Sequence, residues 1–177
     1  MEEKNVLELV ELNKKLFSIQ GIKKSVEEAI EKHKNTQKNL LAFLITLKLE
    51  KIIMGLFKKI AKGHPSNEIS ELYNTTEVLL DKVDERLFLL EKIEIFLMAM
   101  QRDEDNQNKE RLFKTLSLLY TLILFVDMEN DHNTMLYQNQ IQALRNKESY
   151  IPEQEDMDKK ISLENDINEI RRILNNE

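Results

Sequence analysis

Three glycines and two prolines in 177 residues constrain this chain more than any other feature of its sequence. Average usage, about 7% Gly and 5% Pro, would give a chain of this length roughly four times as many residues that break helices. The long stretches between these breakers are rich in Leu, Ile, Glu, Lys and Asn, which leaves helix as the favoured structure. The sequence therefore predicts an all-α fold.

The breakers and the apolar spacing predict where the helices lie. Gly21 is typical of the residue that follows a helix, and the Gly63/Pro65 pair is typical of a turn. We expect a bundle of about five helices, two or three of them long, with largely antiparallel coiled-coil-like packing in a single domain over residues 1–177. The first four predicted helices cover residues 3–20, 25–62, 66–101 and 108–128. A polar interruption is predicted at 127–133, and a further segment follows around 136–144. A C-terminal amphipathic helix follows Pro152 over residues 153–177.

A heptad series marks the third predicted helix. Eight of its ten core-type positions are apolar, and Thr76 and Arg86 interrupt them. Polar residues at such positions fix the register of packing or mark the edge of an interface. Long heptad helices offer extended docking surface, so a homodimer is one expectation for this chain. The series consists of Ile69, Leu72, Thr76, Leu79, Val83, Arg86, Leu90, Ile93, Leu97 and Met100.

Two segments, 40–47 and 116–126, are apolar around most or all of the helix circumference. Such helices need neighbours on several sides. The second segment is too short to span a bilayer, which requires about 20 apolar residues, so we expect it at the centre of the bundle with Leu119 and Ile123 inaccessible. An apolar ligand held between these two segments is one functional interpretation.

A basic stripe is the sharpest local feature of the sequence. At the angular spacing of a helix, the lysines of the segment 48–62 share one arc, and the apolar side chains lie largely opposite. We expect the apolar side to be buried in the bundle, and it comprises Leu49, Ile52, Ile53, Leu56 and Ile60. The stripe itself consists of Lys48, Lys51, Lys58, Lys59 and Lys62.

Three interpretations of this stripe are open. The first is a solvated face whose lysines meet acidic residues of neighbouring helices. The second is a site for an acidic protein partner. The third is contact with an anionic membrane surface, for which a cationic amphipathic helix is suited. Nucleic acid ranks last, because Phe57 is the one aromatic residue in the segment and the whole chain has a net charge of −6.

The sequence contains no complete catalytic or metal-binding motif that would indicate an enzyme. The chain has no cysteine, which excludes a thiolate metal site and a cysteine nucleophile. Its isolated glycines cannot form a phosphate-binding loop. The single Glu-x-x-His sequence, Glu129 to His132, is half of a di-iron motif and falls in the predicted polar interruption, so we expect a solvated loop there. We expect His33 to be partly exposed or satisfied by a neighbouring group, and we predict no catalytic residue, metal or cofactor.

Charge is distributed unevenly along the chain, with a basic first third and an acidic remainder. Residues 1–62 hold 13 Lys/Arg against 8 Asp/Glu, and residues 63–177 hold 13 against 24. The opening MEEKNVLELV lacks the order of a secretory signal, so we expect a cytoplasmic protein. We predict a non-enzymatic protein-interaction module, such as an adaptor, regulator or chaperone-like binder. The alternatives are a membrane-surface protein that uses residues 48–62 and a bundle that binds an apolar ligand.

Overall fold

The computed structural model describes residues 18–56, 66–106, 108–146 and 150–176. Helices account for nearly all of these residues, and no strand occurs among them. The predicted all-α fold is confirmed. The described part of the chain contains the four α-helices α1 (Ile19–Leu56), α2 (Ser66–Arg102), α3 (Lys109–Asn146) and α4 (Gln154–Asn176), and a 3-10 turn at Glu104–Asn106.

The start of α1 differs from the prediction. The Ser18 hydroxyl oxygen accepts a hydrogen bond from the Gly21 backbone N–H at 3.0 Å, which caps the helix. Gly21 therefore lies in the first turn of α1, and the predicted helix end at this residue is wrong. Ser25 does not begin a helix either, because its hydroxyl donates to the Gly21 carbonyl inside α1 at 3.2 Å. The rest of the first predicted helix and the turn at Gly63/Pro65 lie outside the described residues.

Helix α3 is continuous where an interruption was predicted. It starts at the predicted place, since the Asn108 side-chain oxygen accepts hydrogen bonds from the N–H groups of Glu110 and Arg111 at 3.0 and 3.3 Å. It then runs without a break to Asn146. The prediction of an interruption at 127–133 was wrong because polar composition was interpreted as a turn. The segment predicted around 136–144 is thus part of α3, and the described residues contain four helices where about five were predicted for the chain.

The interior of the bundle has two parts. The larger cluster takes side chains from all four helices, and we call this part the four-helix end; its least exposed members are Ile22, Val26, Leu90, Leu97, Leu122, Val126 and Ile167. The smaller cluster takes its buried members from α1, α2 and α3, and we call this part the three-helix end; these members are Leu40, Val83, Leu87 and Tyr137.

The heptad series of α2 faces this interior as predicted. Eight of its ten positions are buried, including Thr76 and Arg86, and Leu72 and Leu79 are half-buried. Leu119 and Ile123 of α3 are also buried, with 3% and 5% of their surface exposed. In α4, Ile167 and Ile170 belong to the core, whereas Ile161 is exposed.

No helix within the described ranges has both the length and the apolar character required to cross a bilayer.

Candidate functional site

A row of large apolar side chains on α1 points to solvent. Its members recur at helical spacing in the second half of the helix, and each exposes about half of its surface. We call this row the outer face: Leu41 (46% exposed), Ile45 (62%), Leu49 (55%), Ile52 (53%) and Ile53 (52%).

The exposure of the outer face overturns one prediction. The sequence predicted burial of Leu49, Ile52 and Ile53, and all three are exposed. The opposite side of the same helix segment supplies the core, since Leu40 and Leu47 are fully buried. This part of α1 belongs to the three-helix end, where the core cluster has no member from α4. The segment 40–47 thus has apolar side chains on several sides, but only some of those sides are covered.

The predicted basic stripe is described only in its first half. Lys48 and Lys51 are exposed, and Lys58, Lys59 and Lys62 lie outside the described residues. Within the described part of the chain neither Lys48 nor Lys51 forms an ion pair, so the predicted pairing of the stripe with neighbouring helices is not found for these two lysines.

Two further lysines extend the positive charge along α1 toward its start. Lys34 and Lys38 are exposed and precede the outer face by two turns and one turn of the helix, respectively. They form no ion pair with any described residue, in contrast to Lys32. The Lys32 ammonium lies 3.0 Å from Asp127 of α3, and this hydrogen bond raises the pKa of Lys32. The charge of Lys34 and Lys38 is therefore free to act on a partner.

A groove of about 410 Å³ borders the outer face, between α1 and the end of α3. Phe43 and Tyr137 meet edge to face within it, with ring centroids 5.1 Å apart. The Tyr137 hydroxyl donates to the Asn39 carbonyl at 3.3 Å, and burial raises the pKa of Tyr137 to about 12. The remaining lining residues include Ala42, Thr46, Leu47, Ile141, Leu144 and Arg145.

A buried polar layer separates the two ends of the bundle. Arg86 of α2 donates two hydrogen bonds to Glu129 of α3, at 2.7 and 3.1 Å, and both side chains are almost fully buried. Asn130 and Asn133 of α3 lie in the same layer, and the Asn130 Oδ1 atom is buried without a hydrogen-bond partner among the described residues. The paired charges satisfy each other, so this layer is a structural element of the core.

Both described histidines are buried and bonded to the backbone. The Nδ1 atom of His33 lies 2.7 Å from the Ala29 carbonyl, which confirms that a neighbouring group satisfies this residue. Burial lowers the pKa of His33. The Nε2 atom of His132 lies 2.8 Å from the Asp156 carbonyl at the start of α4. The predicted solvated loop at Glu129 and His132 is therefore wrong, because both lie inside α3 and bond to different helices.

Among the residues that the structure describes, no three His, Asp or Glu side chains lie close enough together to hold a metal ion. No known protein family, curated protein or solved structure matches this chain. The exposed surface of α1 is therefore the candidate functional site.

Two parts of the site were missed from the sequence. Lys34 and Lys38 could have been found, because no acidic residue occurs between Glu31 and Glu50 and both lysines share the helical side of Leu41. The interior position of Glu129 could also have been found, although its pairing with Arg86 could not. Glu129 continues the spacing of three and four residues that places Leu122 and Val126 in the core.

Proposed function

We propose that this protein is a non-enzymatic interaction module that binds another protein through the outer face of α1. The observation that carries the proposal is the exposure of five large aliphatic side chains on one helix segment. From Leu41 to Ile53 they extend for about 18 Å at the rise of an α-helix. Scattered apolar residues are normal on a surface, whereas a continuous apolar row rimmed by charge is typical of an interaction site.

The architecture supports the same proposal. The heptad positions of α2 are the interior ones, and we infer that α1 and α2 pack as an antiparallel coiled-coil-like pair. Such a pair holds the second half of α1 straight while its outer side stays open. We propose a cytoplasmic location, since the cysteine-free sequence needs no oxidising compartment.

The groove between α1 and α3 favours a second candidate. Its volume of about 410 Å³ falls within the range of small-molecule sites, and Phe43, Leu47 and Ile141 give it an apolar lining. An apolar ligand in this groove would be detected by native mass spectrometry of gently purified protein.

Site-specific photo-crosslinking in the cells of origin tests the leading proposal. A photoreactive amino acid at Ile45 is compared with the same residue at Asn168, an exposed position on α4. We expect a discrete protein adduct at position 45 and none at position 168. Adducts that are the same at both positions, or no protein adduct at either, would contradict the proposal. A lipid adduct at position 45 would instead favour the membrane-surface alternative.

A further inference from the structure

We propose that the partner seated on the outer face of α1 is an acidic amphipathic helix. It would place an apolar stripe on the outer face and carboxylates opposite Lys34, Lys38 and Lys48. This inference rests on the proposed function and adds to it the shape and the charge of the partner.

The shape of the surface suits a helix. The apolar positions 41, 45, 49 and 52 follow the ridge spacing of an α-helix, and Lys34 and Lys38 continue the same ridge. From Lys34 to Ile52 the ridge is about 27 Å long, which matches a partner helix of about 18 residues. Thr46 lines the neighbouring groove and lies one turn from Leu49, so a helix laid along the ridge has a recess at its side.

The charge of the surface selects an acidic partner. At the angular spacing of an α-helix, Lys34, Lys38 and Lys48 fall within the same arc of about 80° as Leu41, Ile45 and Ile52. No Asp or Glu occurs from residue 32 to residue 49. A second copy of this chain in a symmetric pair would bring the same basic surface against itself, without carboxylates to neutralise it. A helix with acidic residues flanking its apolar stripe supplies those carboxylates.

The position of Lys48 favours a protein over a membrane. Lys48 lies at the edge of this arc, one helical turn from both Ile45 and Ile52, and all three side chains are exposed. Helices that lie on membranes keep their lysines on the polar face and insert an uninterrupted apolar face. Insertion of the outer face would draw the Lys48 ammonium in with the isoleucines. A partner helix can place a carboxylate opposite this ammonium while its apolar stripe covers the isoleucines.

Designed peptides test the inference with the full-length protein. Three fluorescent helical peptides of about 18 residues share one leucine stripe and carry Glu, Gln or Lys at the flanking positions. Fluorescence anisotropy measures their dissociation constants. We expect the Glu peptide to bind about tenfold more tightly than the Gln peptide, because three exposed ion pairs each contribute a small amount. The Lys peptide should not bind, and the Glu preference should shrink at about 0.5 M salt.

Matched variants identify the surface. The triple variant Lys34→Gln, Lys38→Gln, Lys48→Gln should bind the Glu and Gln peptides equally. The control triple variant Lys109→Gln, Lys114→Gln, Lys159→Gln removes the same charge from exposed positions on α3 and α4 and should keep the preference. Ile45→Glu should abolish binding of the Glu peptide. A Glu preference that survives in the first triple variant, or equal binding of the Glu and Gln peptides to the unmodified protein, overturns the inference.

The other occupants give different results. Sedimentation that shows a dimer, dissociated by Ile45→Glu, would assign the face to a second copy. Flotation with vesicles containing phosphatidylserine, without binding of any peptide, would assign it to a membrane. A protein crosslink at position 45 without a Glu preference overturns the acidic helix and leaves the proposed function standing. Absence of any protein crosslink overturns the proposed function and this inference together.

Discussion

Arg86 and Glu129 form an ion pair in the interior, where each charge depends on the other. Their hydrogen bonds of 2.7 and 3.1 Å are in the range of strong charge-assisted bonds. Replacing both residues by apolar side chains removes two desolvated charges at once, whereas replacing one leaves the other buried and unpaired. We therefore expect the pair to contribute more to the choice of register between α2 and α3 than to net stability.

Single and double substitutions separate these two effects. Glu129→Leu should lower the free energy of unfolding by about 3–5 kcal/mol, because Arg86 is left buried without its carboxylate. The double variant Arg86→Met, Glu129→Leu should recover most of this loss. Urea denaturation measures both values. A double variant as unstable as the single one would show that the pair itself is a major source of stability.

His33 makes folding sensitive to pH. Burial lowers the pKa of His33 below its ordinary value of 6.5, although the backbone bond to Ala29 and the charges of Asp127 and Glu129 act in the opposite direction. The unfolded chain therefore binds a proton at a higher pH than the native protein does. Stability contributed by neutral His33 is fully present above about pH 6.5 and declines as the pH falls toward the native pKa.

The variant His33→Gln isolates this contribution. Unfolding free energies measured at several pH values below about 6.5 should fall less steeply for the variant, by up to one proton in the slope. Other titrating groups act equally in both proteins, so the difference between the slopes belongs to His33. Identical slopes would contradict the assignment.

The two sides of α1 should respond differently to substitution. Ile45→Ser changes an exposed side chain and should alter the free energy of unfolding by less than about 0.5 kcal/mol. Leu47→Ala removes a fully buried side chain two residues away and should cost about 2–5 kcal/mol. Thermal and urea denaturation compare the two variants. A large loss for Ile45→Ser would mean that the outer face contributes to the core of the protein in solution.

The range and the buried positions of a helix could be predicted where the spacing of its apolar residues alone decides burial. The heptads of α2 gave its range and its interior positions correctly, including the two polar ones, because α2 packs against its neighbours along its length. The continuity of α3 was missed, since Glu129 and Asn133 are polar although they occupy interior positions. A local sequence does not reveal that Arg86 lies opposite. The exposure of the outer face was also missed, because it depends on which helices reach the three-helix end.

On the scale of the whole molecule, the polar layer divides the interior into two unequal parts. Among the described residues, the cluster of the four-helix end has fifteen buried side chains, and the cluster of the three-helix end has four. Apolar burial is the main source of stability, so we expect the three-helix end to be less stable than the four-helix end. Arg86, Glu129 and the buried asparagines of α3 contribute little apolar contact across the boundary. We therefore expect the three-helix end to open without unfolding the rest.

Native-state hydrogen exchange tests this division. Backbone amides in residues 40–53 of α1 and 136–146 of α3 should exchange at a lower opening free energy than amides in residues 22–33 and 116–126. At low denaturant concentrations, the opening free energy of the first group should change little if its opening exposes little surface. The opening free energy of the second group should fall with denaturant as the free energy of global unfolding does. Leu122→Ala should lower the opening free energy of the second group by about 2–5 kcal/mol, and Ile45→Ser should leave both groups unchanged. Exchange of all four segments at one common free energy would show a single cooperative core.

If the groups separate as expected, a partner helix bound to the outer face should slow exchange first in the three-helix end, because that end has the larger population of open states to suppress.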